Sequence, residues 1–112
     1  MTLKEGVRIV HLVPAMVRAL PLVDNVYVAF GFECVITSGD DGIHEGRPIT
    51  GDTKDPHYVG KALDFAIKVL PPEMRGPLVR TVTETLGPAY VVLHEAQGTP
   101  SEHVHVQAGH VG

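Results

Sequence analysis

Residues 101–107 read SEHVHVQ, that is Ser101-Glu102-His103-Val104-His105-Val106-Gln107. In extended backbone successive side chains point to opposite faces. His103, His105 and Gln107 then share one face, while Val104, Val106 and Ala108 share the other. One face is apolar and the other is able to bind something. KALDFAIKV, residues 61–69, alternates in the same way, with Leu63, Phe65 and Ile67 on one face and Ala62, Asp64 and Ala66 on the other. Asp64 is flanked by alanines on its own face, which leaves open space above it.

The remaining elements follow from spacing. PAMVRALPLVDNVYVAF, residues 14–30, carries Met16, Val17, Leu20, Val23, Val26, Tyr27 and Phe30 close to a helical repeat. Pro14 suits the first turn and Gly31 a C-terminal stop, whereas Pro21 predicts a kink or two short helices. ECVIT, residues 33–37, reads as a strand entering the turn Ser-Gly-Asp-Asp-Gly. Residues 38–60, with five glycines and two prolines, form a long irregular segment of the kind that carries function. PPEMRGPLVRTVTETLGP brings Met74, Leu78, Val82 and Leu86 onto one helical stripe, widened by Val79, and stops at Gly87-Pro88. AYVVLHE, residues 89–95, is the next strand. Helix, strand, long loop, strand, helix, strand, strand is the order of an α+β domain with a small antiparallel sheet and flanking helices.

At 112 residues the chain has room for one core, so residues 1–112 are expected to form a single domain. A hydrophobic fraction of 44% and a mean hydropathy of +0.11 belong to globular chains rather than disordered ones. With a net charge of -4 and basic residues scattered singly, neither a nucleic-acid duplex nor an anionic membrane is an expected partner. Cys34 is the only cysteine, which excludes an intrachain disulfide and a thiolate-rich zinc cluster. Its place in the apolar run CVI predicts a buried thiol. MTLKEGVRIV lacks the pattern of a signal peptide, and no apolar run approaches a membrane span. The expectation is a chain made in the cytoplasm, whose export would need a helper such as a lysis pore or a delivery particle.

Any metal must therefore be held by histidine and carboxylate. Seven histidines are present: His11, His44, His57, His94, His103, His105 and His110. Three nitrogen and oxygen ligands with an open fourth position make a catalytic zinc site. His57 precedes the strand that carries Asp64, and His105 projects from the last strand, so two neighbouring strands can bring all three together. His94 shares a face with Tyr90 and Val92 and reads as a partly buried structural histidine.

DPHYVGKALD, with His57, Gly60, Ala62 and Asp64, resembles the His-x-x-Gly-x-Ala-x-Asp signature of the D-Ala-D-Ala carboxypeptidase and L-Ala-D-Glu endopeptidase family of zinc peptidases, whose fold is shared with the hedgehog signalling domain. EHVHVQ resembles the Glu-x-x-His element that closes the family pattern, and VITSGDDGIH resembles the segment before the first ligand in short phage-type members. The resemblance runs from about Pro14 to the end of the chain. There are departures. Asp55-Pro56-His57 stands where the family has Ser-x-His, the segment between His44 and His57 is longer, and Asp40-Asp41 follow Gly39 where many members place an arginine.

The resemblance implies Zn2+ held by His57, Asp64 and His105, with a glutamate as general base and His103 bonding an oxyanion or orienting substrate. Glu102, three before His105, fits one version of the pattern; Glu95, ending the preceding strand, fits the phage-type version. Strict alternation places Glu102 opposite His105 unless the strand begins after it or is bulged there. Ser38, Asp41 and Arg47 are the candidates for substrate contacts, Arg47 as replacement for the missing arginine. The implied activity is hydrolysis of a peptide bond in peptidoglycan stem peptides by a monomer, endolysin-like, phage-encoded and delivered to the cell wall. The alternatives within the same fold are a zinc-binding interaction module without turnover and a virion structural module.

Overall fold

A computed structural model describes residues 1–9, 12–39 and 60–109, together with the backbone of 43–44 and 47–48. The strands are β1 (Thr2–Leu3), β2 (Val35–Ser38), β3 (Ile43–His44), β4 (Arg47–Pro48), β5 (Ala62–Ala66), β6 (Tyr90–Glu95) and β7 (His103–Ala108). The helices are α1 (Pro14–Phe30) and α2 (Pro72–Leu86). This is an α+β fold. Five strands form one sheet in the order β1-β2-β5-β7-β6, and β3 pairs with β4 in a separate two-stranded ladder.

An all-antiparallel sheet was the expectation, and the sheet is mixed. β1 runs parallel to β2, with Thr2 N–H donating to the Cys34 carbonyl and Lys4 N–H to that of Ile36, both at 2.9 Å. Only two residues make this strand, too few for an alternating pattern, so its direction is set by the edge it docks on. The remaining pairs, β2 with β5, β5 with β7 and β7 with β6, are antiparallel.

Helix α1 begins on Pro14, whose fixed φ and missing N–H suit the first turn. It ends at Gly31, which turns into the left-handed region at φ 88°. There the Gly31 and Phe32 amides donate to the Val28 and Tyr27 carbonyls. Pro21 neither breaks the helix nor splits it. It withdraws the donor that the Val17 carbonyl would receive, but both residues lie on the exposed face of the helix, open to solvent.

Helices α1 and α2 pack on each other and against the sheet, α1 on β7 and α2 on β6. Between them lies the core, in which Met16, Val23 and Tyr27 of α1 and Leu78 and Val82 of α2 meet Leu63, Phe65, Val104 and Val106. Each large apolar side chain buried there is worth about 1.5–3 kcal/mol. Two tyrosines tie the layers together: the Tyr27 hydroxyl donates to the Ala66 carbonyl at 2.7 Å and the Tyr90 hydroxyl to that of Ala15 at 2.6 Å. Cys34 is buried at 1% exposure.

The opposite sheet face carries no helix among the described residues, the arrangement in which an antiparallel sheet covers one side and works with the other. Where β2 ends, Gly39 lets two backbone segments touch: a Cβ there would stand 2.2 Å from the Arg8 carbonyl oxygen. None of the described helices is long and apolar enough to cross a membrane.

Candidate metal centre

The register of the three neighbouring strands assembles the site. Asp64 of β5 pairs with His105 of β7, Ala66 with His103, and across the other edge of β7 Glu95 of β6 pairs with His103. Because side chains alternate, Asp64, Glu95, His103, His105 and Gln107 all reach the open face, while Val104 and Val106 go to the core at 0% exposure. Side-chain ligand atoms of Asp64, Glu95 and His103 lie within 4.8 Å of one another. This partly buried group is able to hold a metal ion.

The two imidazoles are oriented in the same manner. Nδ1 of His103 donates to the Ser101 carbonyl at 2.7 Å, which leaves Nε2 facing the carboxylates, 2.9 Å from Glu95 Oε1 and 3.7 Å from Asp64 Oδ2. Nε2 of His105 donates to Gln107 Oε1 at 2.9 Å, which turns Nδ1 toward Asp64 Oδ1 at 2.9 Å, with Glu95 Oε1 at 3.9 Å. Each ring thus spends one nitrogen on an acceptor of its own strand segment and presents the other to Asp64 and Glu95. Metal-binding histidines are oriented this way, their second nitrogen donating to a carbonyl or carboxylate. The donor set fits zinc, which takes imidazole nitrogen and carboxylate oxygen.

The same contacts set the charge of the rings. Burial works against a charged His103, but the Ser101 carbonyl, Asp64 and Glu95 outweigh it and raise its pKa. For His105 burial is likewise outweighed, by hydrogen bonds to Asp64 and Gln107 and by the charges of Asp64 and Glu95. A divalent cation at this place would compete with protons for the same ring nitrogens.

A cleft of about 830 Å³ opens beside the group. Asp64 and His103 form one part of its wall and Thr37 and Ser38 another, with Lys4 and Lys68 also lining it. Ser38 pairs with Asp64 across β2 and β5, so this substrate-contact candidate borders the site. Arg47 and His44 lie on the two-stranded ladder, and their side chains are outside the described residues, as are His57, Asp41, His11 and His110.

Glu102 is placed differently from Glu95. Strand β7 begins at His103, and the Glu102 side chain turns to Arg75 of α2 at 2.8 Å and to His94 Nε2 at 2.6 Å. The carboxylate that joins Asp64 and the two imidazoles is Glu95. His94 is partly buried in the Glu102 pair, as its face with Tyr90 and Val92 suggests. Arg75 escaped notice in the sequence, since nothing local marks a residue that meets its partner 27 positions away. Gln107 as the partner of His105 was visible as the third member of a period-two face.

No protein-family model matches the chain, and neither a curated protein nor a solved structure matches it.

Proposed function

We propose that the chain is a zinc peptidase domain of the hedgehog/DD-peptidase type, hydrolysing a peptide bond in bacterial cell-wall stem peptides. One observation carries the proposal: two imidazoles and two carboxylates from three adjacent strands converge on the open sheet face at a cleft, each ring oriented by an acceptor on its own strand segment. The His57, Asp64 and His105 pattern supports it from the sequence side.

Exposure divides the labour. Asp64 and His105, with side chains 16% and 10% exposed, are the enclosed pair, and we assign them with His57 as ligands. Glu95 and His103, at 43% and 23%, are the accessible pair, and His103 lines the cleft. Zinc held there would supply Lewis acidity toward a carbonyl and toward water, whose pKa it would lower to about 7. Glu95 takes the proton from the attacking water and passes it to the leaving amine, for which its exposed carboxylate has room. His103 donates from Nε2 to the oxygen that gains charge, its orientation fixed by Ser101. Ser38 holds the substrate backbone at the cleft wall.

A second ligand set, Asp64, Glu95 and His103, is favoured by the 4.8 Å clustering of those atoms. Metal analysis of His103→Ala and His105→Ala separates the two, since the first assignment requires zinc to be lost with His105 and kept without His103. The activity is tested by mass spectrometry of defined muropeptides incubated with the zinc-loaded chain and with a chelator-treated control. Metal-dependent fragments establish hydrolysis and name the bond. One zinc per chain without fragments turns the reading to a binding module.

A further inference from the structure

Glu102 and His105 are the two buried polar residues among the described residues, at 7% and 8% exposure, and of the two only His105 faces Asp64 and Glu95. Both Glu102 oxygens are engaged. Oε1 accepts from Arg75 Nη1 at 2.8 Å and from the Gly98 amide at 3.3 Å, and Oε2 accepts from His94 Nε2 at 2.6 Å. Arg75 continues the network, donating from Nε to the Leu70 carbonyl at 2.9 Å and from Nη2 to that of Lys68 at 3.0 Å. Lys68 Nζ then returns to the Pro100 carbonyl at 2.8 Å. The circuit joins the segment after β5, the start of α2, the end of β6 and the turn 96–102.

Within the turn, Thr99 donates from N–H and Oγ1 to the Ala96 carbonyl and the Glu102 amide donates to the Thr99 carbonyl, which shape the turn locally; the Glu102 network is what ties it to α2 and to the segment after β5. The turn opens on Ala96 at φ 54°, a left-handed conformation that a non-glycine residue adopts at a cost, and contains Gly98 at φ 78°. Its two flanking residues are Glu95 and His103, which face each other across the strand pair at 2.9 Å. Any slack in the turn would be transmitted to both.

We propose that Glu102 is a positioning residue: with Arg75 and His94 it clamps the turn 96–102, so that Glu95 and His103 keep their pairing on the open face. The inference rests on the peptidase reading for the roles of Glu95 and His103, but the clamp itself is a property of the metal-free chain. The Glu102 carboxylate is buried and turned to Arg75 and His94 rather than to the Asp64, Glu95 and His103 group, so Glu102 acts through its neighbours.

The test uses the full chain with Glu102→Gln, Glu102→Ala and Arg75→Lys. Glutamine keeps an acceptor for Arg75 and Gly98, and its amide donates to His94 once that ring carries its proton on Nδ1. It is therefore expected to rescue at least tenfold of the activity that Glu102→Ala loses, with the alanine loss about 10–100-fold, as for groups that orient site residues. In the metal-free chain, imidazole NMR should show the His103 Nε2 resonance shifted or broadened in Glu102→Ala and in Arg75→Lys, and close to wild type in Glu102→Gln. Arg75→Lys keeps the charge, loses the fork, and reports on the clamp even if the alanine variant does not fold. Glutamine and alanine falling together by about 10²–10⁴ with the His103 resonance unmoved would make Glu102 the base and overturn the inference. An unmoved resonance in Glu102→Ala and Arg75→Lys would overturn it as well. A wild-type chain that neither binds zinc nor cleaves sinks the peptidase reading alone, because the resonance still decides the clamp.

Discussion

Asp64 Oδ1 and His105 Nδ1 lie 2.9 Å apart, on residues that the strand register pairs directly although they are 41 positions apart in sequence. This contact links the β5 segment to the β7 segment at the level of chemistry as well as of the ladder. A change at either residue should therefore be read first in metal content. Asp64→Asn and His105→Ala are each expected to lose stoichiometric zinc while keeping the wild-type far-ultraviolet circular dichroism. Full zinc in both variants, by elemental analysis after gel filtration, would remove the pair from the ligand set.

Glu95→Gln keeps the shape and the hydrogen bond from His103 but no longer accepts a proton. Zinc content should stay at the wild-type level, and kcat should fall by roughly 10²–10⁴, the usual worth of a general base. Turnover within a few-fold of wild type would exclude Glu95 from proton transfer.

The raised pKa values of His103 and His105 fix the sign of a pH effect. Without metal, a folded-state pKa above the unfolded value stabilises the chain fully below the unfolded value near 6.5, and this stability is lost as pH rises through the folded values. Zinc competes with the same protons, so its contribution grows over that range. The chelated chain should lose Tm as pH rises above about 6.5, while the zinc-loaded chain should hold or gain it. Parallel curves with and without metal would dissociate the imidazoles from the binding site.

Burial pushes the Cys34 thiol up to about 12, with the charge of Asp24 adding to the effect. The thiolate that alkylating reagents attack is then scarce at neutral pH. Iodoacetamide should modify the native chain slowly and the denatured chain promptly, as followed by intact mass. Rapid native labelling would mean that β2 opens often at its start.

Tyr27→Phe removes the donor to the Ala66 carbonyl and leaves the ring in the core. The expected loss is about 1 kcal/mol in denaturant unfolding, toward 3 if no water reaches the carbonyl. Loss near zero would show that the hydroxyl contributes orientation without stability.

The parts of this fold that depend on strict alternation were legible. Val104 against His105, and Phe65 against Asp64, assign faces from sequence alone, and the imidazole-bearing face follows. Gly31 and Gly87-Pro88 likewise mark helix ends that the structure places at Phe30 and Leu86. What stayed illegible depends on distance or on context. Thr2 and Leu3 form a strand because an edge is present for them, not because of a pattern of their own. Pro21 looked like a break, yet its cost falls away on a solvated helix face. Alternation offered a reason to separate Glu102 from His105, but the partners that receive the carboxylate, Arg75 from α2 and His94 from β6, arrive from other elements.

Gly39 has a bearing on engineering. Its hydrogen is the spacer between the end of β2 and the Arg8 carbonyl, and residues Lys4 to Val7 on the far side line the cleft. Adding one methyl group at this position obliges the backbone to shift, because the atom it meets first is the Arg8 carbonyl oxygen rather than the end of a flexible side chain. Glycine at 39 thus sets how closely the two segments that line the cleft approach, and a substitution there reshapes the cleft wall without touching Asp64, Glu95 or the two histidines.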